Sequence, residues 1–103
     1  MKLTSRVDVG FELCFKYPLA KGYTFRELTK QDLKVLQAFL DKVLRMTVQQ
    51  VDESFSRVPD KNDIFRACQV LHYALSDKFR IHVVLESGSY KVLRLDPQHK
   101  FHS

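Results

Sequence analysis

Two neighbouring segments with strict alternation constrain the fold of this chain more than any other feature. Every second residue is apolar across VLHYAL and KFRIHVVL, and these residues are Leu71, Tyr73, Leu75, Phe79, Ile81, Val83 and Leu85. Because side chains on a β-strand have a period of two, the pattern predicts two strands with one apolar face each. Residues 76–78 are predicted to form a three-residue hairpin loop, since a two-residue loop would mix the two faces.

This loop length determines which residues of the two strands face each other. His72 is then opposite His82, on the side away from the apolar residues. The sequence Ser87-Gly88-Ser89 predicts a second three-residue loop, because glycine adopts positive φ without strain, and it places Arg94 beside His82. The side chains predicted to share an exposed polar face are His72, Arg80, His82, Tyr90 and Arg94. The side chains predicted to be buried on the other face are Phe79, Ile81, Val83 and Leu93.

The N-terminal part contains one more predicted strand. Apolar and other residues alternate in RVDVGFELCFKY, residues 6–17, as in a strand with one buried face. Residues 56–65 contain a proline and several Asp and Asn residues, and they predict an exposed polar loop. With the helices described next, the order is strand, helix, helix and three strands. This order predicts a two-layer α+β domain, with a helix hairpin packed on one face of a mainly antiparallel sheet.

Two helices are predicted between the first strand and the polar loop. Thr29 resembles an N-cap for a helix that runs to about Arg45, and Thr47-Val-Gln-Gln50 is a capping box for a second helix. An apolar stripe on the first helix is predicted to form core, and its residues are Leu33, Leu36, Leu40, Val43 and Leu44. Phe39 lies off this stripe, so Leu40 is expected to be the more buried of the two.

Composition limits the class of protein. The 103 residues are expected to form a single domain, residues 1–103, with room for one core. The N-terminal residues lack the apolar core of a signal peptide and no apolar run has the length of a membrane span, so a cytoplasmic protein is expected. Cys14 and Cys68 lack a CxxC spacing and predict reduced thiols, with neither a metal site nor a cofactor. The net charge of +5 favours an anionic partner, either nucleic acid or an acidic protein.

The C-terminal residues add a resemblance to a known family. FRIHVVLESGSYKVLRLDPQHKFHS, residues 79–103, contains a strand with an arginine, a hairpin and a closing segment of the type Asp-Pro-x-His-Lys. In this it resembles small phage- and plasmid-borne proteins related to the RelE/ParE toxin superfamily. YTFRELTKQDLKVLQAFLDKV, residues 23–43, is similar in pattern to the helical part of those proteins.

The resemblance implies a RelE-like fold, a concave sheet face that binds RNA, usually on the ribosome, and cleavage of that RNA without a metal. It implies that Arg80 and Arg94 contact phosphate and that the closing segment, with His99, Lys100 and His102, assists acid–base chemistry. It also implies a cognate acidic antitoxin that covers the basic face. Two alternatives remain open: a ParE-like inhibitor of gyrase, and a noncatalytic phage or plasmid module that binds protein or nucleic acid through the same face.

The residue types alone also fit RNA cleavage. Attack by the 2′-hydroxyl needs a base, cations that stabilise the charged phosphate, and an acid for the leaving oxygen. Histidine titrates in the right range, and the arginine fork matches phosphate oxygens. The catalytic assignment is Arg80 and Arg94 as phosphate ligands, His82 or His72 as base and His99 or His102 as acid. The residues expected to support nucleic-acid binding are Lys78, Tyr90, Lys91 and Lys100, with Tyr90 as a platform for a base.

Each of these residues also has a structural interpretation. The histidines and arginines are equally compatible with an exposed strand surface, and the arginines could be partners for Glu12 and Asp96. Asp96-Pro97 could be a turn that ends the last strand, with the aspartate capping backbone donors. Phe101 could be a core residue that anchors the C-terminal tail.

Overall fold

Both helices begin at threonine N-caps, as the sequence predicts. In the computed structural model, which describes residues 9–101, helix α1 spans Lys30–Val43 and helix α2 spans Val48–Phe55. Thr29 and Thr47 each accept a hydrogen bond from the backbone N–H three residues later, and the side chain of that residue accepts one in return. These reciprocal bonds satisfy N–H groups that have no partner within the helix. No helix among the described residues has the length and apolar character needed to span a bilayer.

The strands form a mixed sheet of five strands and a separate two-stranded hairpin. They are β1 (Leu13–Cys14), β2 (Ser56–Arg57), β3 (Ile64–Phe65), β4 (Cys68–Gln69), β5 (Leu71–Ala74), β6 (Arg80–Glu86) and β7 (Ser89–Asp96). The sheet order is β1-β7-β6-β5-β2, with β1 parallel to β7 and the other neighbours antiparallel, while β3 pairs with β4. The predicted α+β class is therefore confirmed, with a mixed sheet and an additional hairpin.

The first strand is shorter than the sequence predicts. Its first residues, 6–8, lie outside the described part of the chain, and only Leu13 and Cys14 pair with β7. Gly10 instead forms a bridge with Thr47, and the backbone of Phe11 donates to Met46. The first part of the alternating segment therefore pairs with the connection between the two helices, and only two later residues, Leu13 and Cys14, pair with the sheet.

The predicted register of the central hairpin is confirmed. His72 lies opposite His82, and His82 lies opposite Arg94. The second loop differs, because it contains only Ser87 and Gly88, both with positive φ. A bulge at Leu93 compensates for the missing loop residue. The predicted pairs of Ile81 with Leu95 and of His82 with Arg94 are therefore right, but from Val83 to the turn each predicted pair is wrong by one residue.

The main core lies between the helices and one face of the sheet. Phe79, Ile81 and Val83 are buried there, as predicted, together with Leu36, Phe39, Val43, Val48 and Val51 of the helices. Three details of the predicted helix stripe are wrong. Leu33 and Leu44 are about half exposed, and Phe39 is buried whereas Leu40 is only partly so. The stripe at positions 36, 39 and 43 faces the sheet, and Leu33, Leu40 and Leu44 lie on its flank.

The opposite face of the sheet is covered, contrary to the prediction of an exposed surface. Val70, Val84 and Leu93 form a second, smaller core there, with Tyr17, Phe65 and Cys68 packed against it. Leu93 is thus buried as predicted, but on the other side of the sheet. The cover includes the β3–β4 hairpin and its flanks, residues 60–70, which we call the arm. The segment predicted to be an exposed polar loop therefore contributes half of this arm.

Candidate functional site

Four polar side chains meet beneath the arm, and we call them the buried polar cluster. His72, His82 and Arg94 lie on β5, β6 and β7 and are directly opposite one another in the ladders. Asp63 comes from the arm, immediately before β3. The cross-strand register brings the first three together, and the fold of the arm adds the carboxylate.

The cluster has well-defined geometry. The two imidazole rings stack with their centroids 4.1 Å apart and their planes at 20°. The Oδ2 atom of Asp63 lies 2.6 Å from Nη2 of Arg94 and 3.4 Å from Nε2 of His72. Such a short guanidinium–carboxylate contact is a charge-assisted hydrogen bond. Phe101 completes the enclosure, because its ring centroid lies 3.6 Å from the guanidinium carbon of Arg94 and 5.7 Å from the His82 ring.

The cluster is buried, which corrects the prediction that these side chains face solvent. His82 is fully enclosed, and His72 and Arg94 are each 7% exposed. The arm and the C-terminal tail close over them, and neither cover could be inferred from strand alternation. In this conformation the two histidines and Arg94 are shielded from a polymer such as RNA, so they do not form the open catalytic face that the sequence predicts.

Asp63 is the residue that sequence reasoning missed. The sequence predicts that Asp63 is one of several polar residues in an exposed loop, yet its side chain is only 10% exposed. The hairpin that carries it turns at Arg66 and Ala67, both of which have positive φ. Such turns usually contain glycine or asparagine, so this one lacks the sequence signal by which hairpins are found.

The sheet face that carries the buried polar cluster stays open to solvent at one end, and Arg80 lies at this end. It lies opposite Ala74 and Asp96, and Arg57 lies opposite His72, so both arginines are on the side of the buried polar cluster. Together they line a surface pocket of about 490 Å³. Partial burial lowers the pKa of Arg80, and the nearby charge of Arg57 lowers it further, while Asp77 and Asp96 oppose the shift.

Neither arginine forms an ion pair with another residue of the described chain. Arg80 donates from Nη1 to the carbonyl oxygens of Ser76 at 2.7 Å and Phe79 at 3.3 Å. Arg57 donates from Nη1 to the carbonyl of Ser56. Much of each guanidinium fork thus remains available to an external acceptor.

The C-terminal tail turns back at Asp96. Its carboxylate accepts hydrogen bonds from the backbone N–H groups of Lys100 and Phe101, which confirms the capping interpretation. His99, with φ of 54°, and Lys100 are exposed on this turn. His102 lies outside the described residues.

Two of the residues predicted to bind nucleic acid are buried. Tyr90 is 1% exposed in the main core, where its ring stacks on Phe11 at 5.2 Å. Lys91 is 7% exposed and donates to the carbonyl of Glu86 and to Oγ of Ser89. The prediction of a base-stacking platform at Tyr90 is wrong because the short loop and the bulge turn its side chain to the other face. Lys78, in contrast, is exposed on the first hairpin turn.

The buried polar cluster also contains a set of metal-ligating atoms. Asp63, His72 and His82 each offer one such atom, and all three atoms lie within 4.8 Å of one another. No local sequence pattern predicts this set, because Asp63 and His72 are nine residues apart and come together only through the hairpin.

No protein-family model and no curated protein matches the sequence, and no solved structure matches the fold. The resemblance to RelE/ParE toxins therefore stays a prediction, and functional inference for this chain rests on the geometry of its own side chains.

Proposed function

We propose that the protein binds RNA through the open end of its basic sheet face, with Arg57 and Arg80 as the phosphate ligands. The observation that carries this proposal is the pair of arginines in one open pocket, without an ion-pair partner in the described chain. Two nearby cations raise each other's energy, and an anion between them removes that cost. The planar guanidinium fork is also well matched to phosphate oxygens.

One carboxylate, Asp77, also lines the pocket, but cations on the neighbouring turns favour a long polyanion over a small one. Lys78 is exposed on the turn that precedes Arg80, and Lys100 is exposed on the turn that follows Asp96. The chain as a whole has a net charge of +5. A polyanion gains from every such cation through release of its bound counterions, whereas a single phosphate gains from only one or two.

The wider proposal follows the resemblance of residues 79–103 to RelE/ParE toxins. Under it the fold is RelE-like, the ligand is messenger RNA in the cytoplasm, usually on the ribosome, and an acidic antitoxin neutralises the protein. An acidic helix or strand laid over Arg57 and Arg80 would compete directly with RNA for the same guanidinium groups.

Substitution of the two arginines tests RNA binding. We expect Arg57→Ala and Arg80→Ala each to weaken binding of a single-stranded RNA. The slope of log K against log salt should fall by about 0.7 per lost phosphate contact. Arg80→Lys should restore binding only in part, because an ammonium group lacks the bidentate fork. Fluorescence anisotropy of a labelled RNA over a range of salt concentrations measures both quantities.

Lys34 provides a matched control, since it is an exposed cation on α1, which packs against the other face of the sheet. Lys34→Ala removes the same charge and should leave the RNA affinity nearly unchanged. Equal weakening by all three alanine variants would mean that binding is nonspecific attraction to a basic protein. Unchanged binding in the Arg57→Ala/Arg80→Ala double variant would exclude this pocket as the RNA site.

A second candidate function is metal-independent cleavage of the bound RNA. The observation in its favour is the exposed His99, on the turn that begins at Asp96, the cross-strand partner of Arg80. An imidazole at this end of the face can exchange a proton with RNA, whereas His72 and His82 are enclosed. The arginines would stabilise the charge that develops on the phosphate.

We expect RNA incubated with the protein and EDTA to yield fragments that end in a 2′,3′-cyclic phosphate. His99→Gln should slow this reaction by about 100-fold or more, as expected for loss of a general acid or base. RNA affinity should stay close to that of the wild type. Binding without any cleavage, in the presence or absence of ribosomes, would instead identify a noncatalytic RNA-binding module.

A further inference from the structure

We propose that Asp63, His72 and His82 form a binding site for a divalent transition metal, with Zn²⁺ as the best match, and that the ion fastens the arm to the sheet. The three ligands come from different elements: Asp63 from the arm, His72 from β5 and His82 from β6. A metal held by all three would therefore link the arm to two central strands. This role is separate from the RNA-binding pocket at Arg57 and Arg80.

The distances between the ligand atoms suit a zinc site once the two imidazole rings rotate out of their stack. Ligand atoms about 2.0–2.1 Å from a tetrahedral zinc ion lie roughly 3.3 Å from one another. The Asp63 Oδ2 to His72 Nε2 distance is already 3.4 Å, and every ligand atom of the set lies within 4.8 Å of the others. Binding also requires the stacked imidazole rings, whose planes lie 20° apart, to rotate about χ1 and χ2 until a nitrogen lone pair of each ring points at the ion.

The donor types select the class of metal. Two imidazole nitrogens and one carboxylate oxygen favour zinc and its first-row neighbours over Mg²⁺ and Ca²⁺, which prefer oxygen ligands. Three protein ligands leave a fourth position for water. A pocket of about 190 Å³ at the junction of arm and sheet, lined in part by Asp63 and Arg94, offers a hydrated ion a route to the site.

Arg94 supports the site as a neighbour of one ligand. Its Nη2 atom lies 2.6 Å from Oδ2 of Asp63, so it orients the carboxylate toward the histidines. Ligating carboxylates are commonly held by such outer hydrogen bonds, whose loss lowers metal affinity by about 10- to 100-fold. A carboxylate oxygen has two lone pairs, so Oδ2 of Asp63 can bind the metal and still accept the hydrogen bond from Arg94.

Metal titration of the full-length protein tests the site. After treatment with a chelator and its removal, the protein should bind one Zn²⁺ ion with a dissociation constant on the order of micromolar or tighter, measured by calorimetry. Co²⁺ should give the visible absorption of a four-coordinate site. His72→Gln and His82→Gln should each weaken binding by at least about 100-fold, because two protein ligands hold such an ion poorly. His99→Gln, which replaces an exposed histidine of the tail, should leave the affinity unchanged.

Limited proteolysis tests the link between metal and arm. Lys61 and Arg66 are exposed trypsin sites within the arm, and Lys34 is an exposed site outside it. Zn²⁺ should slow cleavage at the first two and leave cleavage at Lys34 unchanged. Asp63→Asn preserves the shape of the side chain and a hydrogen-bond acceptor for Arg94, and it should abolish this protection even if a histidine variant fails to fold. Equal metal affinity in wild type and Asp63→Asn, or loss of affinity in His99→Gln, would overturn the proposal.

Discussion

Replacement of Asp63 with alanine should lower the free energy of unfolding by about 3–5 kcal/mol, the range found when one partner of a buried ion pair is removed. The side chains of Asp63 and Arg94 are 10% and 8% exposed, and 2.6 Å separates Oδ2 of Asp63 from Nη2 of Arg94. Without Asp63, Arg94 would stay charged beneath the arm with no carboxylate of residues 9–101 in contact. Typical stabilities of small domains are only about 5–15 kcal/mol, so a loss of this size is readily measured in urea.

A double variant separates the lost partner from other effects of the substitution. Arg94→Met in the Asp63→Ala background removes the remaining charge and keeps much of the apolar length of the side chain. It should recover most of the lost stability, because an apolar replacement of both partners avoids an uncompensated charge. Asp41→Ala, at an exposed position on α1, is the matched control and should change stability by less than about 0.5 kcal/mol. A loss in Asp63→Ala no larger than in this control would show that Arg94 is already well solvated.

Phe39→Ala should be nearly as damaging, at about 3–5 kcal/mol, because it opens a cavity in the main core. The side chain is 4% exposed, and its ring makes an edge contact with Phe55 of α2 at a centroid distance of 5.2 Å. Leu40→Ala should cost less, about 2 kcal/mol or below, because Leu40 is only partly buried and lies beside an open apolar groove. Urea melts of the two variants provide the comparison.

Leu33 extends the same comparison, because it belongs to the apolar stripe read from the sequence but is 46% exposed. Leu33→Ala should therefore change stability the least of the three. Equal losses in Phe39→Ala and Leu40→Ala would mean that the flank of α1 is covered in solution. A larger loss in Leu40→Ala would show that α1 turns Leu40 toward the core, which is the orientation that the sequence alone predicts.

The sequence predicts correctly those parts of the fold that depend only on residues close together in the chain. The Thr29 and Thr47 caps are decided by residues within one helical turn, and both were located from the sequence. The pairing of His72 with His82 depends on one three-residue loop between two alternating strands, so it too was predictable. The orientation of α1 was not, because Phe39 and Leu40 are adjacent and only the shape of the sheet beneath them decides which is buried.

The candidate site was predictable only in part, since its composition depends on contacts between distant residues. Sequence reasoning placed His72, His82 and Arg94 together, but it could not supply Asp63 or the cover. The arm turns at residues without a turn signature, and the tail folds back through hydrogen bonds to Asp96. Alternation identifies a polar face and predicts that it is exposed, but it carries no information about the distant parts of the chain that enclose it.

The bulge at Leu93 makes β7 tolerant of a change in length that most strand positions would not accept. Leu93 has no partner on β6, so its deletion would leave Arg94 opposite His82 and Val92 opposite Val83. Deletion of Lys91 would instead turn Tyr90 out of the main core, because every side chain between it and the hairpin turn would change face. During evolution, gained and lost residues in this strand should thus accumulate at position 93, where they alter packing against Val70 and Val84 but preserve the pairing of the sheet.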